Sequence, residues 1–416
     1  MKKNLYIALG LLVVFSMLLG ACGAKATPTT VPPTATPKPI KITIWHGWSG
    51  DYLTAIAQAF KDYTAAHPNV TIELNNPDPL NDALRVAIPA GEGPDIIAWA
   101  NDQIGANALV GNIVPLDDYG VNMAFMNSTY EPAAVAGVVW QNKIWGLPES
   151  QEGIAFVYNK ALLTDEFLPK DPKNFDELLA KAKAFAEKNP GKFLVCNQGL
   201  GNADAYHVAP IYFGFGMPGY VDDMGNVYMG SAESIAAAKW MVEFSKYAPK
   251  ETSHDLCKGM ITEGKAGAWW TGPWAIADLE TAGIDYGILP MGSPFVGIKN
   301  LLLSKNAVDR GNAAVAVDVM KYFTSGEVQA KIALVNKTIP AATAALKNPE
   351  VQKLYTLAGF GASLNLGRPM GNTPFANAQW GPVGDATTAL WNGAQTPEEA
   401  MAGAKAAIEK AIADMK

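Results

Sequence analysis

Cysteine is scarce in this chain. Only Cys22, Cys196 and Cys257 occur among 416 residues, and no Cys-x-x-Cys pair is present. The four histidines, His46, His67, His207 and His254, show no metal-ligand spacing, so neither a metal site nor a cofactor is expected. There is no Gly-x-Ser-x-Gly elbow, and so no signal for that class of serine hydrolase. No basic run occurs, which argues against nucleic acid as a partner. Beyond the first residues, no apolar stretch is long enough to span a bilayer. Two nucleotide-like patterns lack their context. Gly214-Phe215-Gly216-Met217-Pro218-Gly219 has the spacing of a dinucleotide loop but no strand before it, and Pro218 hinders a following helix. Gly259 to Lys265 has P-loop spacing, but Ala266 stands where a magnesium-binding hydroxyl is needed.

The chain opens with Lys2 and Lys3, followed by an uncharged, mostly apolar run from Asn4 to Ala21. It ends Leu19-Gly20-Ala21-Cys22, the form of an export signal. This resembles the bacterial lipobox, which implies lipidation of Cys22 and removal of residues 1–21. A transmembrane anchor is the alternative, for which the run is a little short. Residues 22–39 form a linker; from Gly23 to Pro39 it holds five Pro and five Thr. Such a segment cannot bury enough surface to fold, and as a tether it reaches at most about 50 Å. The expected location is the outer face of a bacterial membrane. Losing Lys2 and Lys3 takes the formal net charge from −7 to −9. With Cys22 lipidated, Cys196 and Cys257 remain in an oxidising compartment, as a disulfide or as two free buried thiols.

The remaining body of about 375 residues suits two domains, and 49% hydrophobic residues suit large cores. Lys41–Trp45, Val70–Leu74 and Asp95–Trp99 read as strands. Helical spacing lies between them at Asp51–Ala66 and Asn81–Ala90. That order implies a parallel sheet flanked by helices. Further on, Phe175–Lys188 and Ala232–Tyr247 read as helices, and Phe193–Asn197, Ala266–Trp270 and Tyr286–Leu289 as strands. After Gly311 the pattern is nearly all helical, closing with the capping box Thr396-Pro397-Glu398-Glu399. Eleven Trp and fourteen Tyr are present, several beside Asn, Asp, Gln and Gly rather than in aliphatic runs. This placement marks a wet, flat-faced binding surface.

Six segments carry a family resemblance. They are Ile42-Thr43-Ile44-Trp45-His46-Gly47-Trp48, Gly93 to Trp99, Gly146-Leu147-Pro148 with Tyr158-Asn159-Lys160, Asp204-Ala205-Tyr206-His207, Thr271-Gly272-Pro273-Trp274 and Pro294-Phe295-Val296-Gly297. In this order the chain resembles the solute-binding proteins of bacterial ABC importers, in the maltose, maltodextrin and cyclodextrin group. The resemblance implies an α/β, two-lobe periplasmic-binding-protein-like fold, each lobe a mainly parallel sheet flanked by helices, with a ligand cleft between. The N-lobe falls at 40–150 plus 301–346 and the C-lobe at 151–300 plus 347–416. Hinge segments lie near 150–153, 295–300 and 346–349. The implied partners are an oligosaccharide and membrane-embedded ABC permease subunits, with the chain a monomer anchored by lipid.

A sugar presents apolar C–H faces and hydroxyl edges, so its site needs aromatic platforms and polar groups at the rim. Trp99 ends a strand, where ligands sit in open α/β sheets. Asn101 and Asp102 follow and can hydrogen-bond hydroxyls. The resemblance places Trp99 and Asp102 among sugar contacts, Glu152 at the first hinge as an acceptor, and Tyr206, Trp274 and Trp380 as stacking platforms. Trp48 is a further candidate, whereas Trp45 reads as core. Glu149 competes with Glu152. Gln103 and Gly384 depart from the group's maltose binder, which has Arg at both positions. A secreted glycoside hydrolase, pairing Asp102 with Glu149 or Glu152, is the enzymatic alternative. An iron receptor would need paired Tyr and His ligands that this sequence lacks, and a charged peptide suits an aromatic-rich site poorly.

Overall fold

The structure is a computed structural model that describes residues 38–415. The expected signal segment, Cys22 and nearly all of the Thr/Pro linker lie outside the described residues. In the body, β1 Ile40–His46, β2 Val70–Asn75 and β3 Ile96–Ala100 run parallel, in the spatial order β3-β1-β2. The helix Gly50–Ala66 follows β1 and turns Tyr52, Ile56, Phe60 and Tyr63 inward. Asp95 fixes the start of β3. Its carboxylate accepts from Thr43 N at 2.8 Å and pairs with Arg310 at 3.1 Å. The C-terminal end of β3 is thereby aimed at the cleft, carrying Trp99.

A short hairpin, β4 Val139–Trp140 and β5 Lys143–Ile144, precedes β6 Gly146–Glu152 and β7 Ala155–Asn159. Then come β8 Phe193–Cys196, β9 Ala266–Thr271, β10 Tyr286–Leu289, β11 Phe295–Leu303, β12 Ile339–Pro340 and β13 Arg368–Pro369. The first sheet is ordered β12-β6-β11-β3-β1-β2, with β13 paired to the start of β11; the second is ordered β10-β7-β9-β8.

The expectation of a mainly parallel sheet in each lobe is corrected. β11 runs antiparallel to β3 and to β6, and β7 antiparallel to β9 and β10. Among the described residues the parallel pairings are β1 with β2 and β3, the two-residue β13 with the start of β11, and, in the other sheet, β8 with β9. The cause is the crossing between lobes. Strands that arrive at the cleft carry their C-terminal ends there, whereas β7 and β11 start at the cleft and run away from it. A strand entering its sheet from the cleft end must oppose the neighbours that end there, as β11 opposes β3 and β6.

Two large apolar cores form. One draws on residues 42–147 and 298–351, the other on residues 154–295 and 370–412. A smaller cluster holds Cys196, Cys257, Trp269 and Phe360, and Trp274 packs against all three. Cys196 and Cys257 are joined by a disulfide that ties the end of β8 to the helix His254–Thr262. The capping box at Thr396 starts the helix Pro397–Asp414. Gly214–Gly219 and Gly259–Lys265 both fall at helix C-termini, the wrong end to hold a phosphate. Among the described residues no helix is long and apolar enough to cross a membrane.

Candidate functional site

A cavity of about 570 Å³ lies between the lobes, within the about 300–1,000 Å³ usual for small-molecule sites. On the N-lobe side Trp99 leaves β3 with its ring lying directly on Gly47. A Cβ at Gly47 would come within 1.7 Å of ring atom Cζ3, so only glycine seats the ring there. Asp102 is buried in the turn after β3. Its Oδ2 accepts from Gln103 Nε2 at 2.7 Å and from Trp380 Nε1 at 2.9 Å, while its Oδ1 has no partner. Burial raises the Asp102 pKa to about 6, against the opposing effect of Gln103 and Trp380. The Trp380 bond crosses the cleft, as does Gln103 Nε2 to Asn377 Oδ1 at 2.9 Å.

At the hinge, Glu149 and Glu152 are buried on β6. Glu152 Oε1 accepts from Tyr52 at 3.2 Å and Ser150 at 3.0 Å, and its Oε2 lies 3.2 Å from Lys299 Nζ. Lys299 stands on β11, 4.6 Å from the centre of the Tyr52 ring and 5.7 Å from that of Trp274. Burial lifts the Glu149 pKa to about 7; Lys299 opposes this and Glu152 adds to it.

The C-lobe supplies aromatic faces. Asp204 caps the helix Ala205–Gly214 by accepting from Tyr206 N at 3.1 Å and His207 N at 3.2 Å, which holds Tyr206 at the cleft. The Tyr206 hydroxyl donates to Glu152 O at 3.4 Å, and its ring stacks on Phe295 at 6.0 Å. Trp274 opens a short turn after β9, and its ring lies on Gly272, where a Cβ would come within 2.2 Å. His207 meets the Trp274 ring edge-on at 5.8 Å, with Nδ1 2.8 Å from Asp204 Oδ2. Burial works against the charged form of Asp204, but His207, Gln198 and backbone amides outweigh it and hold its pKa at about 2.

Trp48, Trp99, Asp102, Glu152, Tyr206, Trp274 and Trp380 all line this cavity. Trp48 also belongs to the core: it is 3% exposed, stacks on His46 and packs against Phe60 and Phe323. The expected role of Asn101 is corrected. Its side chain turns to the other side of β11, where Oδ1 accepts from Ile298 N at 3.0 Å and Nδ2 donates to Met370 O at 3.0 Å. It lines a second cavity instead, and both amide atoms are already used. Lys299, His207 and Met370 line the first cavity without having been singled out. For Lys299 a signal existed: it is the one charge in the apolar run Phe295–Leu303.

Several known proteins are similar to this chain. The maltotriose-binding protein of Pyrococcus abyssi is 28% identical over 356 residues, covering 82% of this chain and 76% of that protein. The galactooligosaccharide-binding protein of Bacillus subtilis is 24% identical over 410 residues, covering 93% and 92%. The maltose/maltodextrin-binding domain of Bdellovibrio bacteriovorus, solved with maltotriose, superposes with a TM-score of 0.80 at 23% identity. That match covers 90% of this chain and all of the domain, and it shows the shared two-lobe fold. Residues 58–359 match the family described as bacterial extracellular solute-binding protein, and the chain belongs to that family.

Proposed function

We propose that this chain is a receptor that binds an oligosaccharide of the maltodextrin or cyclodextrin type between its lobes and delivers it to an ABC importer. One observation carries the reading: tryptophans from both lobes, Trp99 and Trp274, line one cavity, each with its ring laid on a glycine. Flat rings fixed at a cleft offer stacking area at low entropic cost, which suits the C–H faces of a sugar. Tyr206 and Trp380 extend these faces, and Asp102 brings an acceptor to the hydroxyl edge. Relatives named for maltotriose, maltodextrin and galactooligosaccharide binding support the class of ligand.

The departures from the group's maltose binder are built into this site. Gln103 is spent on Asp102 and Asn377. At Gly384 a Cβ would come within 2.6 Å of the Ala203 backbone, so an arginine cannot be accommodated there without moving it. The receptor acts as a monomer, exported and tethered through a lipid on Cys22. Its lobes are residues 40–150 plus 301–346 and 151–300 plus 347–416, with Ile298 and Val351 reaching across those bounds into the first lobe's core. It performs no chemistry on the sugar. A hydrolase needs two available carboxyl groups flanking the scissile bond; Asp102 and Glu149 both belong to the N-lobe sheet and its turns, and both oxygens of Glu152 are taken by Tyr52, Ser150 and Lys299.

Titration calorimetry with maltotriose, maltotetraose, a cyclodextrin and a galactooligosaccharide tests the reading. The expected result is saturable binding of at least one glucose oligomer, with no shorter products on long incubation. Binding of none, or release of shorter sugars, contradicts it.

A further inference from the structure

We propose that Glu149, rather than Glu152, is the hinge carboxylate that accepts a hydroxyl of the bound sugar, and that Glu152 positions Lys299. The inference rests on the oligosaccharide reading above and concerns how that site selects its ligand.

The backbone explains why both residues reach one place. Side chains three apart on a regular strand point to opposite faces. The pairing of β6 with β11 is irregular here: Lys299 lies opposite Ser150 and Asn300 opposite Pro148, so Glu149 has no opposite residue on β11. An extra residue of this kind re-aims a side chain, and such bulges occur next to functional sites. Both carboxylates consequently line the cavity.

Their hydrogen bonding separates their roles. Both oxygens of Glu152 are occupied by protein groups, by Tyr52 and Ser150 on one side and Lys299 on the other. Glu149 shares the same Tyr52 hydroxyl at 3.4 Å, but that group has one proton to give and lies nearer to Glu152. Glu149 Oε2 is buried and no protein group meets it with full hydrogen-bond geometry, the Trp48 side chain acting on the carboxylate only as a weak donor that opposes the rise of its pKa. A buried acceptor left without a donor is costly, and a ligand hydroxyl relieves that cost. The site therefore favours neutral sugar units bearing a hydroxyl at this point. It rejects units that lack that hydroxyl, because the acceptor is then left buried and unpaired. It also rejects acidic units, whose carboxylate would face Glu149.

A proton is linked to this contact. Four groups act on Glu149: Tyr52 from the helix Gly50–Ala66, Trp48 from the loop after β1, Lys299 from β11 and Glu152 on its own strand. β12, on the other side of β6, contributes only Ile339 and Pro340. Asp102, Asp204, Tyr206 and His207 are the other titratable groups lining the cavity. Burial leaves the Glu149 carboxyl titrating at about 7. A hydroxyl donor prefers the charged form, so affinity rises with pH and binding releases a proton. If only the charged form binds, affinity increases about tenfold from pH 6 to pH 8.

The test is calorimetry with maltotriose, maltotetraose and a cyclodextrin at pH 6 and pH 8. It uses the mature chain, Glu149→Gln and Glu152→Gln, with melting curves as a check on folding. The expected results are the pH step in wild type, and in Glu149→Gln a loss of at least tenfold at pH 8 with the step cut to at most about twofold, the part that Asp102 can supply. Glu152→Gln should weaken binding and keep the step. On the wild type alone, titrations at pH 7 in buffers of different ionisation enthalpy should report release of about half a proton per sugar. Glu149→Gln with wild-type affinity and pH step, a step that vanishes in Glu152→Gln instead, or no proton release overturns the proposal alone. A wild type that binds none of the three sugars overturns the oligosaccharide reading itself.

Discussion

The two walls of the cleft handle their carboxylates in opposite ways. On the C-lobe wall Asp204 is fully engaged by a helix N-terminus, Gln198 and His207, and its pKa falls to about 2. On the N-lobe wall Asp102 and Glu149 are buried with too few donors, and their pKa values rise to about 6 and about 7. The C-lobe carboxylate serves the fold by fixing where Tyr206 stands. The N-lobe carboxylates leave acceptor capacity unfilled, and a ligand can fill it. In our reading the C-lobe covers the faces of the sugar with Tyr206, Trp274 and Trp380, and the N-lobe reads its edge. Contacts divided between two lobes favour the closed arrangement whenever ligand is present, since only closure makes both sets at once.

The largest expected effect sharpens this division by weakening one lobe alone. The Cys196–Cys257 bridge spans a sequence separation of 61 residues, for which the chain-entropy model gives about 4 kcal/mol. Replacing both cysteines with Ser should lower the C-lobe's stability by about that amount and leave the N-lobe's unchanged. Hydrogen exchange resolved by segment measures this, and equal loss in both lobes would mean that they unfold as one unit.

Next in size is the cost of holding Glu149 unfilled. Its pKa rises from the usual 4.5 to about 7 on folding, so between those values the folded chain holds a proton that the unfolded chain has released. Stability therefore falls as pH rises through that window and stays low above it. The shift corresponds to about 3 kcal/mol. Glu149→Gln should stabilise the ligand-free protein by up to that amount at pH 8 and very little at pH 4.5. Denaturant unfolding at the two pH values gives the comparison. An equal effect at both would break the contrast drawn between the walls.

A smaller effect concerns the seating of the N-lobe platform. Gly47→Ala should displace the Trp99 ring and weaken sugar binding as much as Trp99→Ala does, by about 2 kcal/mol. The double variant should lose little more than either single one, because both remove the same contact. Additive losses would mean that Gly47 acts elsewhere.

Much of this was legible in the sequence because local pattern and tertiary role agree. The strands ending at His46 and Ala100, the helices between them and the Thr396 cap follow directly from periodicity and capping chemistry. Trp99 could be placed because strand ends face the cleft in such sheets. The antiparallel β7 and β11 could not be read, since their direction depends on crossings between lobes. Asn101 and Asp102 are adjacent and chemically similar, yet the turn sends one to the backbone of β11 and the other into the cavity. Glu149 was visible only as a competitor of Glu152, because a strand irregularity leaves no local mark in the residues that form it.

The central claim is that one sugar is gripped by both walls at once. Titrating maltotriose into wild type, Trp99→Ala and Trp274→Ala tests it most directly. Loss of a desolvated aromatic anchor costs about 2 kcal/mol, about thirtyfold in Kd. Each substitution should therefore weaken binding at least tenfold while the melting curve stays near that of wild type. Unchanged affinity in either variant would place the ligand on one lobe alone and contradict the account.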